Sequence, residues 1–421
     1  MMNQAQDTRP AESAHHDVVA VVPRVNIQAF CEDEQTARVM QAVASDRRMA
    51  KAHMDVELGG IEAAVQVFSA SQTPAVLIVE CKESRQGVLE QLDRLAQVCD
   101  SGTRVIVVGH VNDVVLYREL VAQGISEYLV GPVHQLQVIE AIATLFKQND
   151  SNPIGRIVAF VGAKGGVGSS TLAHNVGWLV SRDFAIDTVI TDLDLAFGTA
   201  GLNFNQESAQ GIAEALGASD RIDQVLIDRL LTKCSDRLSL LAAPGSIERE
   251  VSVDSDALET ILAVVRNSVP LVVVDVPNVW APWTKQTLVH ADTVVITATP
   301  ELASLRNAKN LVDFLKAARP NDRPPLLVIN QAGVQKRPEI PVAEFAKALG
   351  VEPAVVIPFD AVIFGTASSN GQMPSEVNAK SKVTEAIETL AQTIAGREQT
   401  AKPSKFSLAP FLSKLPKLRK N

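Results

Sequence analysis

Short apolar runs alternate with amphipathic stretches along most of this 421-residue chain. In its first part, runs with the length and composition of buried strands occupy residues 25–31, 74–79, 104–109 and 127–130. The segments between them, such as 86–98 and 113–122, have the spacing of amphipathic helices. Repeated strand–helix units predict a parallel sheet covered by helices on both faces. We therefore predict an α/β domain at 21–148, after a polar and disordered leader at 1–20.

The second part of the chain repeats this alternation after a turn-rich linker at 149–155. Its apolar runs of strand length lie at residues 157–161, 187–192, 238–243, 270–275, 292–297 and 326–330. Helical spacing follows the first run and recurs at 256–266. The pattern predicts a second, mostly parallel α/β domain at 156–395, followed by a basic tail at 396–421.

A glycine-rich turn joins the strand at 157–161 to the helix that follows it. The turn and its flanks, residues 160–174, have the sequence Phe-Val-Gly-Ala-Lys-Gly-Gly-Val-Gly-Ser-Ser-Thr-Leu-Ala-His. Loop N–H groups and a helix N-terminus in this order converge on phosphate. The predicted phosphate-binding residues are Gly165, Gly166, Val167, Gly168, Ser169, Ser170 and Thr171. The alternative is a glycine-rich turn that binds nothing.

The loop departs from the standard phosphate-binding pattern, in which a lysine precedes the last Ser or Thr. Ser169 occupies that lysine position, and a lysine stands earlier in the loop, at Lys164. The usual cation for the β- and γ-phosphates is therefore missing from its usual place, and any hydrolysis should be slow.

Carboxylates follow two of the predicted strands of the second domain. Asp192 and Asp194 come at the end of one strand, and Asp275 ends another. Because ligands bind at the carboxyl ends of parallel strands, beside the glycine-rich loop, these groups are candidates for holding Mg²⁺ and an attacking water. The alternative for the first pair is a solvated turn.

Composition limits the classes of partner. Hydrophobic residues make up 46% of the chain, enough for large cores, while the net charge of −9 and only 4% aromatic residues argue against a nucleic-acid partner. Four widely spaced cysteines without a C-x-x-C pair are typical of a reducing cytoplasm rather than of a disulfide framework or a zinc site. We find neither a signal-peptide pattern nor an apolar run of about 18 residues, so we predict a cytoplasmic protein without a membrane span.

The order Lys164-Gly-Gly-Val-Gly168 resembles the deviant Walker A motif of the MinD/ParA family of P-loop NTPases, over roughly 156–393. The resemblance implies that Lys164 crosses a dimer interface to the partner's nucleotide and that Asp194 positions water. It also implies that Asn330 binds adenine through its side-chain amide, with backbone contacts from 355–360, including Pro358. For Asn330, the alternative is a turn residue that ends its strand.

The first domain resembles a response-regulator receiver, a flavodoxin-like fold, most clearly at 124–133. An acidic pair, Glu32 and Asp33, follows its first strand, as in receivers. The positions of the phosphoacceptor aspartate, the hydroxyl residue and the lysine are instead held by Glu80, Gly109 and Gly131. We predict a pseudo-receiver that is not phosphorylated; an unrelated flavodoxin-like domain is the alternative.

Together the two domains resemble the CpaE/TadZ family of Flp (type IVb) pilus assembly proteins, over about 21–393, with support from 279–284, 305–309 and 319–324. The resemblance implies a cytoplasmic factor that places the pilus machine, often at a cell pole or the inner membrane, and binds its other proteins. It implies ATP and Mg²⁺ as cofactors, with Ser170 as a direct ligand of Mg²⁺ beside Asp192 and Asp275, and a homodimer that forms with ATP. An active partition or division-site ATPase and a nucleotide-free scaffold are the alternatives.

The sequence is compatible with two roles for each of two further features. Trp280 and Trp283 follow Asp275 and belong either to the core or to a partner surface. The tail at 402–421 has six basic groups, no acidic ones and an apolar stripe at Leu408, Phe411, Leu412 and Leu415. Such a segment favours either weak contact with an anionic membrane or a solvated tail.

Overall fold

A computed structural model of the chain describes residues 22–100, 102–146, 155–206, 211–218, 221–245 and 251–396. The predicted leader, most of the predicted linker and the basic tail from 397 onward lie outside these residues. The chain divides into two compact units. Residues up to 156, with 286–292 and 314–323, form the first unit, and the remaining residues form the second.

The first unit contains a five-stranded parallel sheet with strand order β2-β1-β3-β4-β5. Its strands are β1 (Asn26–Cys31), β2 (His53–Leu58), β3 (Val76–Cys81), β4 (Arg104–Gly109) and β5 (Glu127–Val130). Its helices are α1 (Glu34–Ala44), α2 (Gly60–Phe68), α3 (Arg85–Ala96), α4 (Val114–Ala122) and α5 (Gln135–Leu145). This strand order is that of the doubly wound flavodoxin-like fold, which confirms the predicted fold class.

Strand β3 shows why the strands of this sheet appear in the sequence as unbroken apolar runs. Val76 and Ile78 pack into the core on one face of the sheet. Leu77 and Val79 pack into a separate core on the other face. Since successive side chains point to opposite faces, a strand covered on both sides must be apolar at every position.

Strand β2 was not predicted, and its sequence explains why. It lies at the edge of the sheet, paired only with β1. Met54 and Val56 are half-buried, whereas His53, Asp55 and Glu57 are exposed. Charged side chains are typical of an edge strand, where they discourage pairing with another chain. Strand β2 is therefore a short segment in which polar and apolar residues alternate, without the apolar run by which the other strands were recognised.

Glu80, at the position of a receiver's phosphoacceptor, is buried and already hydrogen-bonded. Its carboxylate accepts from the N–H groups of Glu32 (2.8 Å) and Asp33 (3.3 Å) and from the Thr36 hydroxyl (2.8 Å). His110 Nε2 lies 3.0 Å from the same carboxylate. Donors of the chain itself therefore occupy the oxygens of this carboxylate.

Two other positions of the pocket have also changed their chemistry. The Lys82 ammonium pairs with Asp33, and this hydrogen bond lowers the pKa of Asp33 to about 2. A cation of the chain thus neutralises a carboxylate that would hold metal in a receiver. At Gly109, a Cβ would lie 2.1 Å from the Tyr128 hydroxyl, which donates to the carbonyl of Val111. Tyr128 therefore fills the space that a hydroxyl residue would need.

We expect the first unit not to accept a phosphoryl group, because its acceptor position is a hydrogen-bonded glutamate and Lys82 pairs with the metal-binding carboxylate. The full chain would be incubated with acetyl phosphate and Mg²⁺ and measured by intact mass, beside a phosphorylatable receiver as a positive control. A stable phosphoryl adduct mapped to residues 21–148 would contradict this prediction.

The second unit contains an eight-stranded sheet with order β13-β12-β11-β6-β10-β7-β9-β8. Its strands are β6 (Arg156–Gly162), β7 (Thr188–Asp192), β8 (Thr232–Lys233), β9 (Leu238–Leu241), β10 (Leu271–Val276), β11 (Thr293–Ala298), β12 (Leu326–Ala332) and β13 (Pro353–Pro358). Pairing is parallel along β13-β12-β11-β6 and along β10-β7-β9, and β8 is antiparallel to β9. The sheet confirms the predicted, mostly parallel α/β class.

Helices connect these strands. They are α6 (Ser169–Asp183), α7 (Ala200–Asn203), α8 (Ile212–Gly217), α9 (Gln224–Leu230), α10 (Ser255–Ser268), α11 (Pro282–His290), α12 (Leu302–Ala318), α13 (Val342–Leu349), α14 (Ala361–Asn370), α15 (Pro374–Val377) and α16 (Lys382–Ile394). Residues 286–290 of α11 and 314–318 of α12 are counted with the first unit. No helix among the described residues is both long enough and apolar enough to cross a bilayer.

Helix α6 packs close to the middle of the sheet. Leu172, Val176 and Leu179 are buried on its inner face, at the helical spacing seen in the sequence. A Cβ at Gly177 would lie 2.7 Å from Ile190 of β7, so glycine at this position allows the helix to approach the strand. The close packing fixes the helix N-terminus at the carboxyl edge of β6, β7 and β10.

Candidate functional site

The glycine-rich loop connects β6 to α6 and needs glycine at two positions. Gly166 has φ of 77° and Gly168 has φ of 87°, in the left-handed region that side chains disfavour. At Gly168 a Cβ would also lie 2.5 Å from Asn330 Nδ2. The loop conformation therefore depends on these glycines for both backbone and packing reasons.

Side-chain amides hold four carbonyl groups of this loop. The hydrogen bonds run from Asn278 to Gly162 (2.8 Å), from Asn307 to Ala163 (2.9 Å), from Gln331 to Gly166 (3.0 Å) and from Asn330 to Val167 (2.8 Å). We call these four residues the amide clamp. Within the described part of the chain, the N–H groups from Gly165 to Thr171 have no acceptor. With its carbonyls bound, the loop offers donors to a ligand, as an anion cradle requires.

Ser169 stands where an ordinary loop carries lysine. Its hydroxyl is buried and has no hydrogen-bond partner among the described residues. Ser170 and Thr171 are half-buried in the first turn of α6. The structure thus places all seven predicted phosphate-binding residues in the loop and the first turn of α6. Their binding of phosphate stays a prediction.

Asp192 and Asp275 lie side by side because β7 and β10 pair with these two residues in register. Both side chains are buried. Asp192 accepts hydrogen bonds from the N–H groups of Asp194 (3.0 Å) and Ala200 (3.2 Å). Burial, together with the charge of Asp275, raises the pKa of Asp192 to about 6. Asp275 Oδ1 is buried without a partner in the described chain, and such an oxygen fits a metal shell.

Asp194 differs from this pair. It lies beyond the end of β7, and its carboxylate accepts a hydrogen bond from the Phe197 N–H (3.1 Å). The residue therefore stabilises the turn after the strand. Positioning of water by Asp194 stays a prediction.

Lys164 forms an ion pair within its own chain. Its ammonium lies 2.5 Å from Glu301 Oε1, which also accepts from the Thr299 hydroxyl (3.1 Å). The bond from Lys164 lowers the pKa of Glu301. Sequence reasoning missed Glu301. Because Lys164 is paired with this carboxylate, it must leave Glu301 before it can contact a phosphate elsewhere.

The predicted adenine-binding residues lie at the ends of β12 and β13. Asn330 is buried and its amide belongs to the clamp, so the structure shows a loop-holding role for it. Pro358 ends β13 opposite Ala332, and the next residue, Phe359, is exposed. Recognition of adenine by these residues stays a prediction.

His174 is a site residue that sequence reasoning passed over. It is fully buried on α6, one turn after Ser170. Its Nε2 lies 3.5 Å from Asp275 Oδ2, and its Nδ1 lies 2.7 Å from Asn203 Nδ2. The four-residue spacing from Ser170 was the available signal, because it places both side chains on one helix face.

The two tryptophans differ in exposure. Trp280 exposes 53% of its surface and lies under the ammonium of Lys285, which is 5.4 Å from the ring centre. Trp283 is half-buried. Trp280 is therefore a surface residue rather than part of the core.

Different known proteins match the two parts of the chain. Residues 155–328 match the family model AAA_31, described as an AAA domain. A septum site-determining protein MinD from Thermotoga maritima is 23% identical over 260 residues, which cover 58% of this chain and 89% of that protein. The solved structure of a ParA family ATPase from Chlorobium tepidum is 26% identical, with a TM-score of 0.51 over 56% of this chain and 97% of its own.

A further match covers the N-terminal part of the chain. The crystal structure of a pilus assembly protein CpaE from Caulobacter crescentus is 48% identical and covers 30% of this chain and 96% of its own, with a TM-score of 0.29.

We expect Gly168→Ala to weaken binding of a fluorescent ATP analogue by about tenfold or more. An alanine there must adopt a left-handed conformation, which costs about 1–2 kcal/mol, and it displaces the amide of Asn330. Gly217→Ala is the matched control, since a Cβ at this exposed position meets nothing within 4 Å. Equal affinity of Gly168→Ala and the wild type would show that the loop conformation does not set binding.

Proposed function

Because this chain belongs to the CpaE family of pilus assembly proteins and carries a MinD/ParA-like ATPase unit, we propose that it is an ATP-binding assembly factor of a Flp (type IVb) pilus machine. The observation that carries the proposal is the amide clamp, which leaves the loop N–H groups from Gly165 to Thr171 available to phosphate. Titration with a fluorescent ATP analogue and Mg²⁺ tests it. Absence of saturable binding would favour a nucleotide-free scaffold.

Three residues fit a magnesium ion that arrives with the nucleotide. Ser170 places a hydroxyl in the first turn of α6, and Asp192 and Asp275 lie at the same edge of the sheet. The unpartnered, buried Oδ1 of Asp275 supports this assignment, because a buried carboxylate oxygen without a donor is costly unless a cation satisfies it. When bound, Mg²⁺ would neutralise phosphate charge.

Nucleotide binding is proposed to control association of two subunits. ATP bound by one subunit lacks the loop cation that Ser169 has replaced, so its phosphates attract a cation from elsewhere. Lys164 of the second subunit would supply this charge after leaving Glu301. The missing lysine is also the reason to propose slow or absent hydrolysis.

Exposed apolar side chains support a partner surface near the site. Phe197 follows Asp194, Trp280 follows β10, and Leu302 follows Glu301, and these three side chains expose 73%, 53% and 74% of their surface. Aromatic residues are enriched at protein interfaces. We propose that this surface contacts the second subunit or other proteins of the pilus machine, at the cytoplasmic side of the inner membrane or a cell pole.

The likeness to MinD favours one alternative, an active partition or division-site ATPase. Such a protein would hydrolyse ATP readily when a partner stimulates it. The net charge of −9 argues against a DNA-bound version. Steady-state turnover with and without candidate partners separates this function from the proposed one.

We expect ATP to dimerise the wild type and Lys164→Ala to weaken the ATP-bound dimer by about tenfold or more, roughly 1.4 kcal/mol, while ADP binding to the monomer changes little. The reason is loss of the charge that Lys164 would bring to the partner's phosphates. Ser169→Lys restores a cation to the loop and should tighten nucleotide binding. Sedimentation velocity with ATP and with ADP provides the measurement.

Lys347→Ala, an exposed lysine on α13, is the control for a general change of charge. The cross-subunit role of Lys164 is wrong if the wild type stays monomeric with ATP at concentrations on the order of tens of micromolar protein. It is equally wrong if Lys164→Ala dimerises as the wild type does.

We expect residues 402–421, which lie outside the described residues, to add weak and salt-sensitive affinity for anionic liposomes. Each Lys or Arg near such a surface contributes about 1 kcal/mol, and two tails of a dimer bind together. Deletion of 402–421 should abolish co-sedimentation with the liposomes. Equal sedimentation of the truncated and full chains would show that the tail is only solvated.

A further inference from the structure

Three buried side chains of the second unit bring potential metal ligands together. His174 on α6, Asp192 at the end of β7 and Asp275 on β10 each offer one ligand atom, and these atoms all lie within 4.8 Å of one another. All three side chains are buried. The register of β7 and β10 places the two carboxylates side by side, and the close packing of α6 brings the imidazole to them.

The polar atoms of this cluster are poorly satisfied by the protein. His174 Nε2 and Asp275 Oδ1 are buried and have no hydrogen-bond partner among the described residues. The 3.5 Å separation of His174 Nε2 from Asp275 Oδ2 is too long for a good hydrogen bond. Buried polar groups of this kind are costly unless an additional group satisfies them. Two adjacent buried carboxylates and an imidazole are what a cation would satisfy.

The spacing and the ligand types indicate a class of ion. His174 Nε2 and Asp275 Oδ2 are 3.5 Å apart, a separation that one ion with ligand distances of about 2.1 Å can bridge. Magnesium prefers oxygen ligands in near-ideal octahedral geometry. A site with one imidazole and two carboxylates instead suits ions of the Mn²⁺, Fe²⁺ or Zn²⁺ class.

Asn203 provides the outer partner that a metal-binding histidine needs. Its side-chain amide lies 2.7 Å from His174 Nδ1. The amide atom nearest the ring in the structure is Nδ2. Rotated by half a turn, the amide places its oxygen at the same position, accepts the Nδ1–H of His174 and leaves the Nε2 lone pair for a metal. Such a partner fixes both the tautomer and the orientation of the ring.

We propose that His174, Asp192 and Asp275 bind a divalent transition-metal ion, oriented by Asn203, and that the site prefers Mn²⁺ to Mg²⁺. The proposal deepens the nucleotide site, because Asp192 and Asp275 belong to both, and for its role it rests on the proposed function. Binding of the ion itself does not require nucleotide. In this proposal His174, one helical turn after the phosphate-binding loop, determines which metal ion the site prefers.

The test adds Mn²⁺ alone to the full chain and records electron spin-echo envelope modulation. We expect ¹⁴N modulation from the His174 imidazole, and Mn²⁺ affinity well above that for Mg²⁺ in competition. His174→Asn should abolish the nitrogen signal and weaken Mn²⁺ binding by about tenfold or more. Asn203→Ala should weaken binding while keeping the signal. His134→Asn, at an exposed histidine of the first unit, should leave signal and affinity unchanged.

Lack of ¹⁴N modulation in the wild type overturns the proposal, and this result does not depend on whether any variant folds. A signal that persists in folded His174→Asn overturns it too. The same samples are titrated with the fluorescent ATP analogue and Mg²⁺. If the analogue binds and no ¹⁴N modulation is seen, the metal inference fails and the proposed function stands. If modulation is seen and the analogue does not bind, the metal inference stands and the proposed function fails.

Discussion

The hydrogen bonds from side-chain amides to loop carbonyls determine what this molecule can bind. A peptide loop carries about as many acceptors as donors, so it presents N–H groups to an anion when its carbonyls point elsewhere. Asn278, Asn307, Asn330 and Gln331 hold four of them in the loop that precedes α6. The donors from Gly165 to Thr171 then face no acceptor of the described chain. This arrangement supports the proposed binding of phosphate, even though Ser169 stands at the position of the usual lysine.

Charge is balanced differently in the two acidic pockets of the chain. In the first unit, Lys82 pairs with Asp33, and Glu80 is satisfied by backbone N–H groups and side-chain donors. That pocket has no need of a metal ion. In the second unit, Asp192 and Asp275 are buried next to each other, and Asp275 Oδ1 has no donor among the described residues. A bound cation would satisfy this oxygen, and this physical difference is the reason that our proposals place chemistry in the second unit.

Much of the fold could be predicted from the sequence because buried parallel strands must be apolar at every position. Strands β1, β3, β4, β6 and β10 were recognised in this way, and the predicted α/β class is confirmed. The edge strand β2 was missed because an exposed strand needs no apolar run. The sequence predicted that Asp192 and Asp275 lie close together, because each stands at or near the end of a strand. The carboxyl edge of a parallel sheet brings such residues together.

The rest of the site depends on contacts between residues far apart in the chain, which no local pattern encodes. Asn307 reaches Ala163 and Glu301 reaches Lys164 only after β6 and β11 have paired in the sheet. His174 lacked the spacing of a known ligand motif, and its importance comes from the two strands beneath it. Asn307 and His174 become candidates for a role in the site only through the carbonyl and the carboxylate that the fold places opposite them. Loop, amides and carboxylates are thus one arrangement produced by the sheet, with the backbone donors on one side and the uncompensated negative charge on the other.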